Sequence, residues 1–125
     1  MKKILAAFVV LIVLTSSTCN KAEQSKTCFK GRLEIKGICM NYTFTLLEGD
    51  TSVVKVVSQW TNEDNGKKYK NAFALANPCS FADLKEGQEF YFTIEQDPKR
   101  DCAVCEAYYP IPPVKNNIKV VAACP

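Results

Sequence analysis

Seven cysteines, at positions 19, 28, 39, 79, 102, 105 and 124, constrain this 125-residue chain more than any other feature. Oxidised, they cross-link a small domain and limit which segments can be neighbours. Reduced, they are metal ligands or nucleophiles. The compartment decides between the two, and the first eighteen residues speak to it.

Lys2 and Lys3 precede eleven apolar residues, Ile4 to Leu14, and then the small polar run Thr15-Ser16-Ser17-Thr18. This is the three-part pattern of a secretory signal peptide. The apolar run is shorter than the roughly 20 residues that span a bilayer. Residues 1–18 are therefore expected to be removed, residues 19–27 to form a polar tether, and residues 28–125 to form a single domain. Cys19 stands where the signal should be cut, and the segment resembles bacterial lipoprotein signals, in which that cysteine is lipidated and becomes the new N-terminus. The resemblance implies a domain held to a membrane of the cell envelope by acyl chains, periplasmic or surface-facing. The competing reading is ordinary cleavage after Ser17, with Thr15 and Ser17 as the small residues.

With Cys19 set aside, six cysteines remain (28, 39, 79, 102, 105 and 124), an even number that suits bridges in an oxidising compartment. Their spacing alone chooses no connectivity.

Composition excludes several function classes. A chain 47% apolar and 23% charged is globular rather than disordered. Removal of Lys2 and Lys3 leaves 16 − 2 = 14 basic residues against 13 acidic ones, a net charge of +1. That balance argues against a nucleic-acid partner and against an acidic solvating tail. The chain has no histidine, which excludes a histidine general base, a histidine-ligated metal and an imidazole pH switch. The carboxylates are scattered and define no paired acid and base. Glu63-Asp64-Asn65 lacks an EF-hand spacing and reads as solvated turn charge. The domain is expected to be non-catalytic, without a cofactor or metal.

The hydrophobic pattern is that of short strands. Leu33 and Ile35 alternate on odd positions, whereas Ile38, Met40, Tyr42, Phe44 and Leu46 alternate on even ones. The switch of parity at Gly37-Ile38 requires a bulge or corner. Residues 53–60, rich in valine, read as a strand, Asn65-Gly66 as a hairpin turn, and residues 69–76 as the returning strand. Ser80-Phe81-Ala82-Asp83 has capping-box spacing and predicts a short helix over residues 80–86. Residues 88–96, with Phe90, Phe92 and Ile94 on one face, and residues 117–124 read as the last strands. Between them, Pro98, Pro110, Pro112 and Pro113 predict irregular loop.

Five to six strands and one short helix fit a small, disulfide-linked OB-like barrel, with the kink of its first strand at Gly37. A β-sandwich is the alternative. In an OB-fold the first strand runs antiparallel to the fourth. That geometry suggests a bridge from Cys28 to Cys102 or Cys105, and one from Cys79 to Cys39 or Cys124.

The run from Gly31 to Cys39, then Tyr42-Thr43-Phe44, then the run from Leu84 to Phe92, is similar to small OB-like lipoproteins of Bacteroidetes-type bacteria, the NigD-like proteins. The resemblance implies a fold and a location. It carries no catalytic residues.

Two features remain as candidate sites. Tyr108 and Tyr109 on a proline-rich loop, with Trp60 and Tyr69 flanking the hairpin, offer a recognition face for a protein or glycan. Cys102-Ala103-Val104-Cys105 is a C-x-x-C pair, which in a different setting serves thiol redox chemistry or binds zinc or copper. Here structural bridging is the favoured reading, and a redox or metal role is the alternative function. Protease inhibition rests on fold analogy alone.

Overall fold

Cys28–Lys36 (β1), whose burial alternates along most of its length, and Tyr42–Glu48 (β2), buried on both faces from Tyr42 to Leu46, form an antiparallel pair, with Leu33 opposite Phe44. The computed structural model describes residues 27–125. The expected signal peptide, the Cys19 lipidation site and all of the expected tether except Thr27 lie outside the described residues. Five further strands follow: Val57–Thr61 (β3), Lys68–Leu75 (β4), Glu89–Ile94 (β5), Lys115–Asn116 (β6) and Ile118–Val121 (β7). They form one sheet in the order β3-β4-β2-β1-β5-β7. β6 lies off that path, parallel to β4, while the other pairings are antiparallel. The protein is thus mainly β, with one connected sheet of seven strands where five or six were expected. It is not the two facing sheets of a sandwich.

The C-terminal segment is stitched to both sides of its surroundings. Ala74 and Ala76 N–H groups donate to the Val114 and Asn116 carbonyls, and Glu95 N–H donates to Asn117. Two asparagine side chains act as extra rungs. The buried amide of Asn77 bonds the N–H and carbonyl of Ile118 at 2.8 and 2.9 Å, and that of Asn116 bonds those of Lys55 at 3.0 and 2.7 Å. Each satisfies backbone groups that a ladder would otherwise pair.

Phenylalanine fills the core. Phe44 stacks on Phe73 with centroids 5.2 Å apart and meets Phe81 and Phe90 edge-on at 5.5 and 5.6 Å. Phe29, Phe92, Leu33, Val54 and Ile118 close round them.

Three expectations are corrected. The helix over residues 80–86 is absent. A 3-10 turn covers Pro78–Ser80, and the chain then runs without helix to a turn at Gly87. Asp83, which would cap such a helix, instead accepts a bond from Lys36 Nζ at 2.7 Å, and Gly87 and Gln88 bond the backbone of Leu33. Tertiary pairing has overridden a local cap. Second, the strand expected over residues 53–60 begins only at Val57. Asp50 turns the chain by accepting from Ser52, Val53 and Val54, which buries Val54 from within a turn. Third, the parity switch at Gly37 is a corner between two strands, not a kink inside one. A 3-10 turn over Ile38–Met40 separates β1 from β2, with Cys39 and Met40 in the left-handed region at φ 55° and 59°. Non-glycine residues rarely adopt that conformation.

Candidate functional site

The twenty residues from Glu95 to Val114 join β5 to β6 without a helix or strand. Connections of that length without structure of their own are uncommon and are usually functional or disordered. Pro98, Pro110, Pro112 and Pro113 prevent a helix here. Order comes from two staples. Cys102 is bonded to Cys79 beyond the end of β4, and Cys105 to Cys39 at the β1–β2 corner, with Cα separations of 5.3 and 5.1 Å. Between and beyond them, every residue from Asp101 to Tyr108 is exposed.

The third bridge joins Cys28 to Cys124. Neither bridge suggested by OB geometry forms: Cys28 does not reach Cys102 or Cys105, and Cys79, bonded to Cys102, reaches neither Cys39 nor Cys124. Cys28 does lie beside the end of β5, opposite Thr93. However, β7 pairs with β5 on its other edge, and the tail after it returns to Cys28, where Ala123, Cys124 and Pro125 line a cavity with Lys30 and Tyr91. The loop after β5 meanwhile runs to Cys79 and Cys39. Cys102 and Cys105 are therefore not bonded to each other, and all six sulfurs are engaged. Three disulfides suit an oxidising, extracytoplasmic environment. Among the described residues no group of three or more His, Cys, Asp or Glu is placed to hold a metal, and no helix is long and apolar enough to cross a membrane.

The staples bring the loop onto the hairpin, so that the four aromatic residues singled out in the sequence converge. Trp60 and Tyr69 are cross-strand partners in β3 and β4, with ring centroids 5.8 Å apart. Tyr69 is buried beside Ile35 and Ala72, and Tyr109 packs against the same cluster. A Cβ on Gly37 would fall 2.6 Å from the Tyr109 ring and against the Asn41 carbonyl oxygen, so the corner must be glycine for Tyr109 to dock. Asn41 also donates its amide to Ala107 at 3.3 Å. Tyr108 points the other way, 82% exposed, and its hydroxyl donates to Glu63 at the hairpin tip. That bond, with the negative charges of Glu63 and Asp64, holds the phenol above its ordinary pKa. A groove of about 140 Å³ runs between the two elements, lined by Trp60, Thr61, Glu63, Tyr108, Pro110 and Ile111.

The aromatic residues thus divide. Tyr69 and Tyr109 anchor the loop, while Trp60 and Tyr108 line the groove. From the sequence, Glu63 reads as solvated turn charge and Asn62 has no part in a site, whereas the structure places Glu63 in the lining of the groove and Asn62 beside it. Asn62 is buried, and its side chain accepts from the N–H groups of Asp64 and Asn65, shaping the tip that presents Glu63. Asparagine three residues before Asn-Gly at the Asn65-Gly66 turn was the available signal.

No protein-family model matches the chain, and no curated protein or solved structure is significantly similar to it.

Proposed function

We propose that this is an exported, non-catalytic lipoprotein domain, anchored through Cys19, that binds a protein partner through its stapled loop and the Trp60–Tyr108 groove. One observation carries the reading: eight consecutive exposed residues, 101–108, are held by two disulfides against an aromatic hairpin. Fixing an exposed loop in advance reduces the ordering entropy lost on association, which favours recognition. The groove is smaller than the roughly 300 Å³ from which pockets for small ligands begin, so its surface suits a macromolecule rather than an enclosed ligand. The negative charges of Glu63 and Asp64 beside the groove favour a protein, which can offer a cationic side chain, over a neutral glycan.

Cysteine arithmetic supports the anchor. Six of seven cysteines bond one another, and Cys19 is the seventh. We also infer an OB-like barrel of the NigD-like lipoprotein kind. Its support is that the segment 114–121 pairs with β4 through β6 and with β5 through β7.

A photo-crosslinking amino acid placed at exposed position 107, which leaves Tyr108 in place, tests the function in cells. The expected result is one discrete protein adduct, lost on Trp60→Ala and absent with the crosslinker at Lys119, on strand β7. Equal labelling from both positions, or none from position 107, would overturn the protein-partner reading.

A further inference from the structure

The groove between Trp60 and Tyr108 carries negative charge as well as aromatic surface. Glu63 lines it, Asp64 follows Glu63, and exposed Glu106 lies two residues before Tyr108. Both Glu63 and Asp64 act electrostatically on the Tyr108 phenol. A cation over an aromatic face is attracted by the ring, and a carboxylate beside the ring adds to that attraction.

The hairpin already uses this chemistry internally. The Lys67 ammonium sits 5.5 Å from the centre of the Tyr69 ring. The other two such contacts among the described residues fall on Tyr91 and Tyr42. Neither ring that lines the groove, Trp60 or Tyr108, carries a cation among the described residues. Glu63 is bonded to the Tyr108 hydroxyl, which leaves further acceptor sites on its carboxylate.

We propose that this groove takes an arginine side chain of the partner, with the guanidinium stacked on Tyr108 and hydrogen-bonded to Glu63. The proposal rests on the reading above that the partner is a protein. Arginine fits better than lysine because a planar fork stacks on a ring and bonds a carboxylate at once. The size of the groove suits one side-chain tip, and its charge selects the sign of that tip.

The test uses the full chain, isotopically labelled and with its disulfides intact, titrated with N-acetyl-arginine methylamide. The matched citrulline compound, uncharged and nearly isosteric, is titrated in parallel. The expected result is saturable NMR shifts at Trp60, Glu63, Tyr108 and Ile111. The citrulline compound should bind about tenfold more weakly, in line with a desolvated cation–π contact. Glu63→Gln and Tyr108→Ala should each weaken arginine binding by about three- to tenfold while leaving the remaining spectrum in place. Tyr108 is exposed, so its removal does not threaten folding. Equal binding of the two compounds, shifts centred elsewhere, no shifts, or indifference to both variants would overturn the arginine assignment. An adduct from position 107 alongside such a failure would leave the protein-partner reading standing. The lack of an adduct would remove that reading itself.

Discussion

Phe44→Ala is expected to lower the free energy of unfolding by about 3–5 kcal/mol, measured by urea denaturation without reductant. The ring is fully buried on β2, with Phe73 on one side and Phe81 and Phe90 meeting it edge-on. Its strand is paired on both edges, to β1 at Leu33 and to β4 at Phe73. Neither neighbour can close on the vacated volume without breaking register, so the cavity term persists in full. Phe92→Ala would be a useful companion, since Phe92 touches Phe29, Phe73 and Phe90 and tests the other half of the same cluster. A loss below about 1.5 kcal/mol for Phe44→Ala would contradict the packing, because so small a loss belongs to sites that can repack.

Removal of the Cys28–Cys124 bridge by Cys28→Ala with Cys124→Ala is expected to lower stability by about 3–4 kcal/mol. The bridge closes 96 residues of sequence and encloses both of the others. Its effect is exerted mainly on the unfolded chain, whose freedom it restricts. Alanine leaves no buried thiol at position 28, which is 6% exposed. The companion variant, Cys79→Ala with Cys102→Ala, opens a closure of only 23 residues. With Cys39–Cys105 still in place, the loop between Cys28 and Cys124 is already shortened to (39 − 28) + (124 − 105) = 30 residues, so closure entropy, growing with the logarithm of loop length, makes the second loss smaller by only about 0.2 kcal/mol. Thermal melts of the two variants, side by side, check that the two losses nearly match. A clearly larger loss from the short bridge would mean that it stabilises the native loop directly rather than through the unfolded state.

The strands with clean alternation were legible because side chains point to opposite faces every two residues. Phe90 and Phe92 in β5 are buried between more exposed neighbours, and Tyr42, Phe44 and Leu46 in β2 are buried on one face, although Thr43 and Thr45 on the other face are buried as well. The hairpin was legible for a local reason, the Asn65-Gly66 turn, with Gly66 at φ 66°. Failures came where a distant partner outweighed a local signal. Asp83 caps nothing because Lys36, forty-seven residues earlier, takes its carboxylate. Val53 and Val54 have strand propensity, yet Asp50 folds them into a turn. Disulfide pairing was illegible because it depends on the course of the loop from Glu95 to Val114, for which the sequence offers no periodicity. For the same reason Trp60, Tyr69, Tyr108 and Tyr109 could be picked out singly, whereas their convergence required the Cys39–Cys105 and Cys79–Cys102 staples.

Those staples place Tyr108 and Tyr109 on the hairpin, and the account of function depends on them. The direct measurement is mass spectrometry of a tryptic digest made without reduction. Cleavage after lysine and arginine leaves Cys102 and Cys105 together in the peptide 101–115. The bridges described here therefore predict one assembly of three peptides, 37–55, 71–85 and 101–115, joined by two disulfides, and a separate pair of 27–30 with 120–125. Peptide 101–115 released alone and closed on itself by a Cys102–Cys105 bond, or carrying two free thiols, would contradict the account. The loop would then be unpinned, and redox or metal chemistry at the C-x-x-C pair would take its place.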